Sequence, residues 1–145
     1  SLNLIANFLK EIRQDKSTDF FWKKIKYLKY HYSADKSLLK TDLNFFAQNK
    51  NYLDGGFIKN INEDNFELNN FLISIIRSMA NNYASIINQA NKYNQKKIIN
   101  LYGSMCQNIP IFKKILKEFT GFKVNVRNFK LDPTLKNMQR IYMEN

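Results

Sequence analysis

The chain has 145 residues, 44% of them hydrophobic and 14% aromatic, with 23 Lys plus Arg against 12 Asp plus Glu and a formal net charge of +11. That length suits one domain with its own core, and the apolar content argues against disorder despite the charge. One Cys and one His exclude a disulfide framework and an all-Cys/His zinc site, and no apolar stretch reaches the length of a membrane span.

The first predicted helix covers 2–15, where Leu2, Ile5, Leu9 and Ile12 repeat at helical spacing. Ser17, Thr18 and Asp19 are N-cap candidates for a second helix near 19–32, with Phe21, Ile25, Leu28 and Tyr32 on its core face. A third is expected from Ser37 to Leu53, with Leu39, Leu43, Phe46 and Ala47 inward and Asp54-Gly55-Gly56 ending it.

The longest helix is predicted over 63–91. Its apolar positions Leu68, Phe71, Leu72, Ile75, Ile76, Met79, Tyr83, Ile86, Ile87 and Ala90 cover about half the circumference, so it is expected at the centre. A fifth helix is expected over 95–108, with Ile98, Ile99, Tyr102 and Met105 inward. Pro110 suits the first position of the next helix, which runs to Thr120 before Gly121. Residues 122–129 alternate apolar and polar. A single strand would lack a partner, so they are assigned to an extended connector. Asp132-Pro133 opens a terminal helix carrying Leu135, Met138 and Tyr142.

The expected fold is therefore all-α: one compact bundle of six or seven helices over 1–145, around a long central helix near 63–91. The start at Ser1 rather than Met is the expectation for a piece of a larger protein. No signal peptide and no Asn-x-Ser/Thr sequon is visible, and the lone Cys106 suits a reducing compartment, so an intracellular location is expected, soluble or peripheral to a membrane.

No catalytic signature is present: no P-loop, no dinucleotide fingerprint, no His-Glu-x-x-His and no nucleophile elbow. A Cys106–His31 pair lacks the electropositive setting that activates a thiol. Glu63, Asp64 and Glu67 gather where the dipole of the long helix already accounts for them. The expectation is a non-catalytic domain with no metal and no cofactor.

The charge is uneven: +4 over 1–54, −1 over 55–91 and +8 over 92–145. Lys supplies 19 of the 23 basic residues in a chain with 21 Asn. Both residues, with Ile, Phe and Tyr, use AT-rich codons, so an AT-rich source genome is one origin of the excess. Two segments nonetheless concentrate it beside aromatic residues. In the first, Lys23, Lys26 and Lys29 accompany Phe20 and Trp22, the two residues expected to insert at a headgroup boundary; Trp22, Lys26 and Lys29 share a flank of the second helix. In the second, Lys113, Lys114 and Lys117 line the outer face of the Pro110 helix. Lys123 and Arg127 follow, and packing is expected to add Lys96 and Lys97. Such a patch suits phosphate, with Arg able to bind bidentately.

These observations favour a module that targets its parent protein to anionic membrane, including phosphoinositide-bearing membrane. The first alternative is a helical protein-interaction or scaffold domain. The second is sequence-independent nucleic-acid binding, for which no helix-turn-helix or RNP signature speaks and which the scarcity of Arg disfavours as base readout.

Overall fold

The computed structural model describes residues 2–29, 39–42, 56–91 and 97–127. Their elements run α1 (Leu2–Arg13), α2 (Asp19–Lys26), β1 (Lys40–Asp42), β2 (Phe57–Lys59), α3 (Leu68–Ala90), β3 (Ile98–Leu101), α4 (Ser104–Asn108), α5 (Pro110–Thr120) and β4 (Lys123–Val126). The all-α bundle is thus corrected. The described residues form five helices and two small sheets, one antiparallel (β1 with β2) and one parallel (β3 with β4).

α3 is the spine. Leu72, Ile75, Ile76, Ala80 and Ala84 are buried along it, and its largest interface is with α5, where Ile111, Phe112, Ile115 and Leu116 are buried. Two contacts fix the relative direction of the pair. Arg77 Nη1 meets Glu118 Oε1 at 3.4 Å, and the Tyr83 ring stands edge-on to Phe112 at 5.6 Å. Moving six residues forward on α3 moves six residues back on α5, so the helices are antiparallel. Arg77 also covers the Phe119 ring at 5.0 Å, which adds a cation–π contact at one end of the seam. α5 starts at Pro110, whose missing N–H costs nothing in a first turn, and stops at Gly121, which takes the left-handed conformation (φ 68°).

α1 and α2 complete the core with Leu2, Ile5, Ala6, Phe21 and Ile25. α1 ends two residues before the predicted limit of 15. Gln14 turns left-handed (φ 57°), and Arg13 Nε donates to Asp15 Oδ2 at 2.8 Å. α2 ends at Lys26, six residues before the predicted limit; Tyr30, His31 and Tyr32 lie outside the described residues. Three residues of the predicted apolar rows face solvent: Ile12 is 61% exposed, and Tyr83 and Ile86 are also exposed. The small residues Ala6, Ala80 and Ala84 are buried instead, where close approach of backbones needs them.

The predicted third helix is corrected where it is described. Lys40–Asp42 is a strand, paired Lys40↔Lys59, Thr41↔Ile58 and Asp42↔Phe57. Leu39 and Thr41 are buried and Lys40 is exposed, the period of two that a strand requires. The buried Thr41 hydroxyl lies 3.3 Å from that of Ser74, whose Oγ donates to the Phe71 carbonyl at 2.7 Å. Leu43, Phe46 and Ala47 lie outside the described residues, as does the terminal helix predicted after Asp132-Pro133.

The helix predicted at 63–91 begins only at Leu68. Before it, Asn62 and Asn65 exchange side-chain hydrogen bonds with each other's backbone N–H at 3.0 Å, and Asn65 Nδ2 donates to the Asn60 carbonyl at 2.6 Å. That closed turn competes with the helix for the backbone donors.

The helix predicted at 95–108 is replaced by β3 and the short α4, separated at Gly103 (φ 102°). The residues assigned to a connector, 122–129, contain β4, and β3 is the partner it was expected to lack. The register is Ile98↔Lys123, Ile99↔Val124, Asn100↔Asn125 and Leu101↔Val126. α4 and α5 form the crossover, since parallel strands cannot be joined by a tight turn.

Ile115 is fully enclosed, so Ile115→Ala is expected to lower the unfolding free energy by about 2–5 kcal/mol. Ile12→Ala, on the exposed side of α1, is expected to change it by less than about 0.5 kcal/mol. Urea titrations of both variants check the placement of the two residues.

Candidate functional site

α2 carries the first basic-aromatic cluster. Its core face takes Phe21 and Ile25, which leaves Phe20, Trp22, Lys23 and Lys26 at or near the surface. Both residues expected to insert are in contact with other side chains. Phe20 is half-buried beneath the Arg13 guanidinium, 3.7 Å from its ring centroid. Trp22 is half-buried and packs against the core, with its ring edge-on to Phe21 at 5.0 Å and 86°.

The rest of Trp22 opens on a surface cavity of about 410 Å³, lined by Trp22, Lys23, Lys26, Tyr27 and Asn108. The end of α2 supplies four of these residues and α4 supplies Asn108. Lys26 Nζ stands 6.0 Å from the Tyr27 ring centroid. Lys29 is exposed but does not line the cavity. The shared flank of Trp22, Lys26 and Lys29 required a helix continuing at least to residue 29. α2 stops at Lys26, so the helical spacing no longer applies to Lys29.

The second cluster is only partly assembled. Lys113, Lys114 and Lys117 are exposed along α5, opposite its buried residues. Lys97 and Lys123 are neighbours through the sheet register: the Lys123 N–H donates to the Lys97 carbonyl at 2.8 Å, and both side chains are exposed. Arg127 sits at the far end of the same ribbon, where its N–H donates to the Leu101 carbonyl at 2.9 Å. Three residues lie between it and Lys123, which puts the two about 13 Å apart along the chain. Lys96 lies outside the described residues. Among the described residues, no cavity or contact singles out a phosphoinositide headgroup over another anion.

Sequence reasoning missed an exposed apolar stripe on α1. Leu4 and Phe8 are 47% and 57% exposed and stand two turns and one turn before the exposed Ile12. The signal was present as a second row at i, i+4, i+8 beside the row of buried Leu2 and Ile5 and half-buried Leu9. The exposed side chains of Phe57, Ile61 and Phe66 are a further apolar surface around β2, where Lys59 Nζ covers the Phe57 ring at 4.3 Å.

Cys106 is buried, and burial pushes its thiol above the ordinary value of 9.0, with a backbone hydrogen bond opposing the shift. This is the reverse of what activates a nucleophilic Cys. His31 lies outside the described residues. No described helix is long and apolar enough to cross a membrane. No protein-family model, no curated protein and no solved structure matches the chain.

The raised thiol pKa has a defined consequence for stability. Above about pH 9 the unfolded chain releases the Cys106 proton while the folded chain retains it. Ionisation then favours the unfolded state, so stability is lost as pH rises through that window. Wild type is expected to lose more stability than Cys106→Ala between pH 8 and about pH 10, measured by urea denaturation of the two proteins in parallel. Equal losses would contradict it.

Proposed function

We propose that this domain is a non-catalytic module that docks its parent protein on an anionic membrane surface. The observation that carries the reading is the exposed Leu4, Phe8 and Ile12 stripe of α1, on a helix that packs beside the lysine-bearing α2 of a +11 chain. Apolar side chains at the surface gain free energy on entering a headgroup boundary, and exposed Lys gains it near anionic lipid. A charged bilayer satisfies both at once. In this reading α1 supplies apolar insertion, and Lys113, Lys114 and Lys117 on α5 add electrostatic attraction.

Each Lys near a charged leaflet contributes about 1 kcal/mol, so the affinity is modest and falls with salt. The test is co-sedimentation with phosphatidylcholine vesicles that contain or lack phosphatidylserine. Binding is expected only with phosphatidylserine. Lys113→Glu with Lys117→Glu should weaken it at least about thirty-fold with the helical circular dichroism unchanged. Phe8→Asn should weaken it without altering the fold. Sedimentation that is indifferent to headgroup charge, or that a random oligonucleotide abolishes, would remove this reading.

A further inference from the structure

The cavity beside Trp22 has a composition that the docking of a flat bilayer does not use. It places two aromatic side chains, two ammonium groups and one carboxamide around about 410 Å³. A space of that size accepts a ligand of a few hundred daltons. Aromatic faces at the rim of an open cavity offer stacking to a planar ring. Two ammonium groups offer charge-assisted hydrogen bonds to an anion and repel a cation. The amide of Asn108 both donates and accepts, which suits the polar edge of a heterocycle.

The helix explains why these groups converge. Lys23 and Lys26 stand three residues apart on α2 and so neighbour one another along its surface. Trp22 and Tyr27 precede and follow them. Trp22 is anchored by its edge contact with Phe21 and its packing on the core, which holds one wall of the cavity in place before any ligand arrives. Tyr27, at the C-cap of α2, is 68% exposed, so a ligand covers its ring at little structural cost. Asn108 closes the opposite side from the end of α4.

The geometry points to a binding site for a nucleoside phosphate in the cavity formed by Trp22, Lys23, Lys26, Tyr27 and Asn108. The base stacks against the aromatic side chains, the phosphate takes Lys23 and Lys26, and the base edge or the sugar takes Asn108. A free nucleotide and one nucleotide of a single strand present the same chemistry. The inference does not rest on membrane docking: both readings use lysines of α2, but the site is read from the cavity rather than from the α1 stripe, and its test contains no lipid.

Trp22 is the single tryptophan of the chain, so its fluorescence reports on this site alone. The experiment is a titration of the whole chain with adenosine monophosphate, with adenosine and ribose 5-phosphate as partial ligands. A saturable change in Trp22 emission is expected with the nucleotide. Each partial ligand is expected to bind at least about ten-fold more weakly, since each lacks either the stacking ring or the charged group. Lys23→Ala with Lys26→Ala should weaken the nucleotide at least about ten-fold, and Tyr27→Ala about ten-fold, both at surface positions that leave the fold intact. Isothermal titration calorimetry of Trp22→Phe, which keeps a ring but removes the fluorophore, should still register binding. A short oligothymidylate that binds more tightly than thymidine monophosphate assigns the ligand to a strand; equal affinities assign it to the free nucleotide. No saturable signal by fluorescence or calorimetry would overturn the inference. So would equal binding of ribose 5-phosphate and the nucleotide, or full retention of affinity in the double Lys variant.

Discussion

The seam between α3 and α5 is the contact on which the rest of the described structure depends. Ile115 and Leu116 are completely enclosed on one side of it, as is Ala80 on the other, with Leu72 and Ile76 nearly so. Side chains of this size each stabilise by roughly 1.5–3 kcal/mol when removed from water. α5 is also the crossover between two parallel strands. Holding it antiparallel to α3 sets where β4 returns, and hence the register that puts Lys123 beside Lys97. A two-stranded ribbon is only marginally stable by itself. β3 and β4 gain their permanence from Leu101 and Val124, which are buried in the common core. The same seam orients the outer face of α5, so the positions of Lys113, Lys114 and Lys117 follow from what Ile111, Phe112, Ile115 and Leu116 bury.

Long periodic segments were legible in the sequence, and short ones were not. α3 and α5 show apolar residues at three- and four-residue intervals over two turns or more, a pattern that few alternatives reproduce. Pro110 and Gly121 marked the limits of α5 because their backbone preferences permit few other roles there. The segment 98–105 failed because Ile98, Ile99, Tyr102 and Met105 fit a helical face, whereas the paired β-branched Ile98-Ile99 and the break at Gly103 belong to a strand and its end. Four apolar positions cannot separate the two periods. The misreading then propagated. With β3 counted as helix, β4 had no partner, so the alternation of Val124 and Val126 was set aside. The polar turn at Asn62 and Asn65 was hidden for another reason: its closure depends on side chains bonding to the backbone, which periodicity does not register.

The candidate sites divide along the same line. Lys113 and Lys117 were placed correctly on the outer face of α5 because that face is dictated by its buried opposite. The helical grouping of Trp22 with Lys29 does not hold because it needs three more helical residues than α2 has. Ile12 repeats with Leu2, Ile5 and Leu9, yet α1 carries two apolar rows and Ile12 stands on the exposed one with Leu4 and Phe8. What the tertiary structure adds is the pairing of surfaces: an apolar row on α1 next to a basic helix, and a cavity in which Asn108 joins residues more than 80 positions earlier in the chain. The total charge of +11 says little by itself in a chain so rich in Lys and Asn. Its meaning lies in which lysines the fold leaves beside apolar surface and which it leaves beside aromatic rings.

Native-state hydrogen exchange on Leu116→Ala tests the dependence of the sheet on the seam most directly. The amides of Lys123 and Arg127, which bond to the carbonyls of Lys97 and Leu101, are expected to lose protection by the same free energy as the amides of α5. Strand amides that kept their wild-type protection while α5 lost its own would contradict a sheet held in place by the packing of α5 on α3.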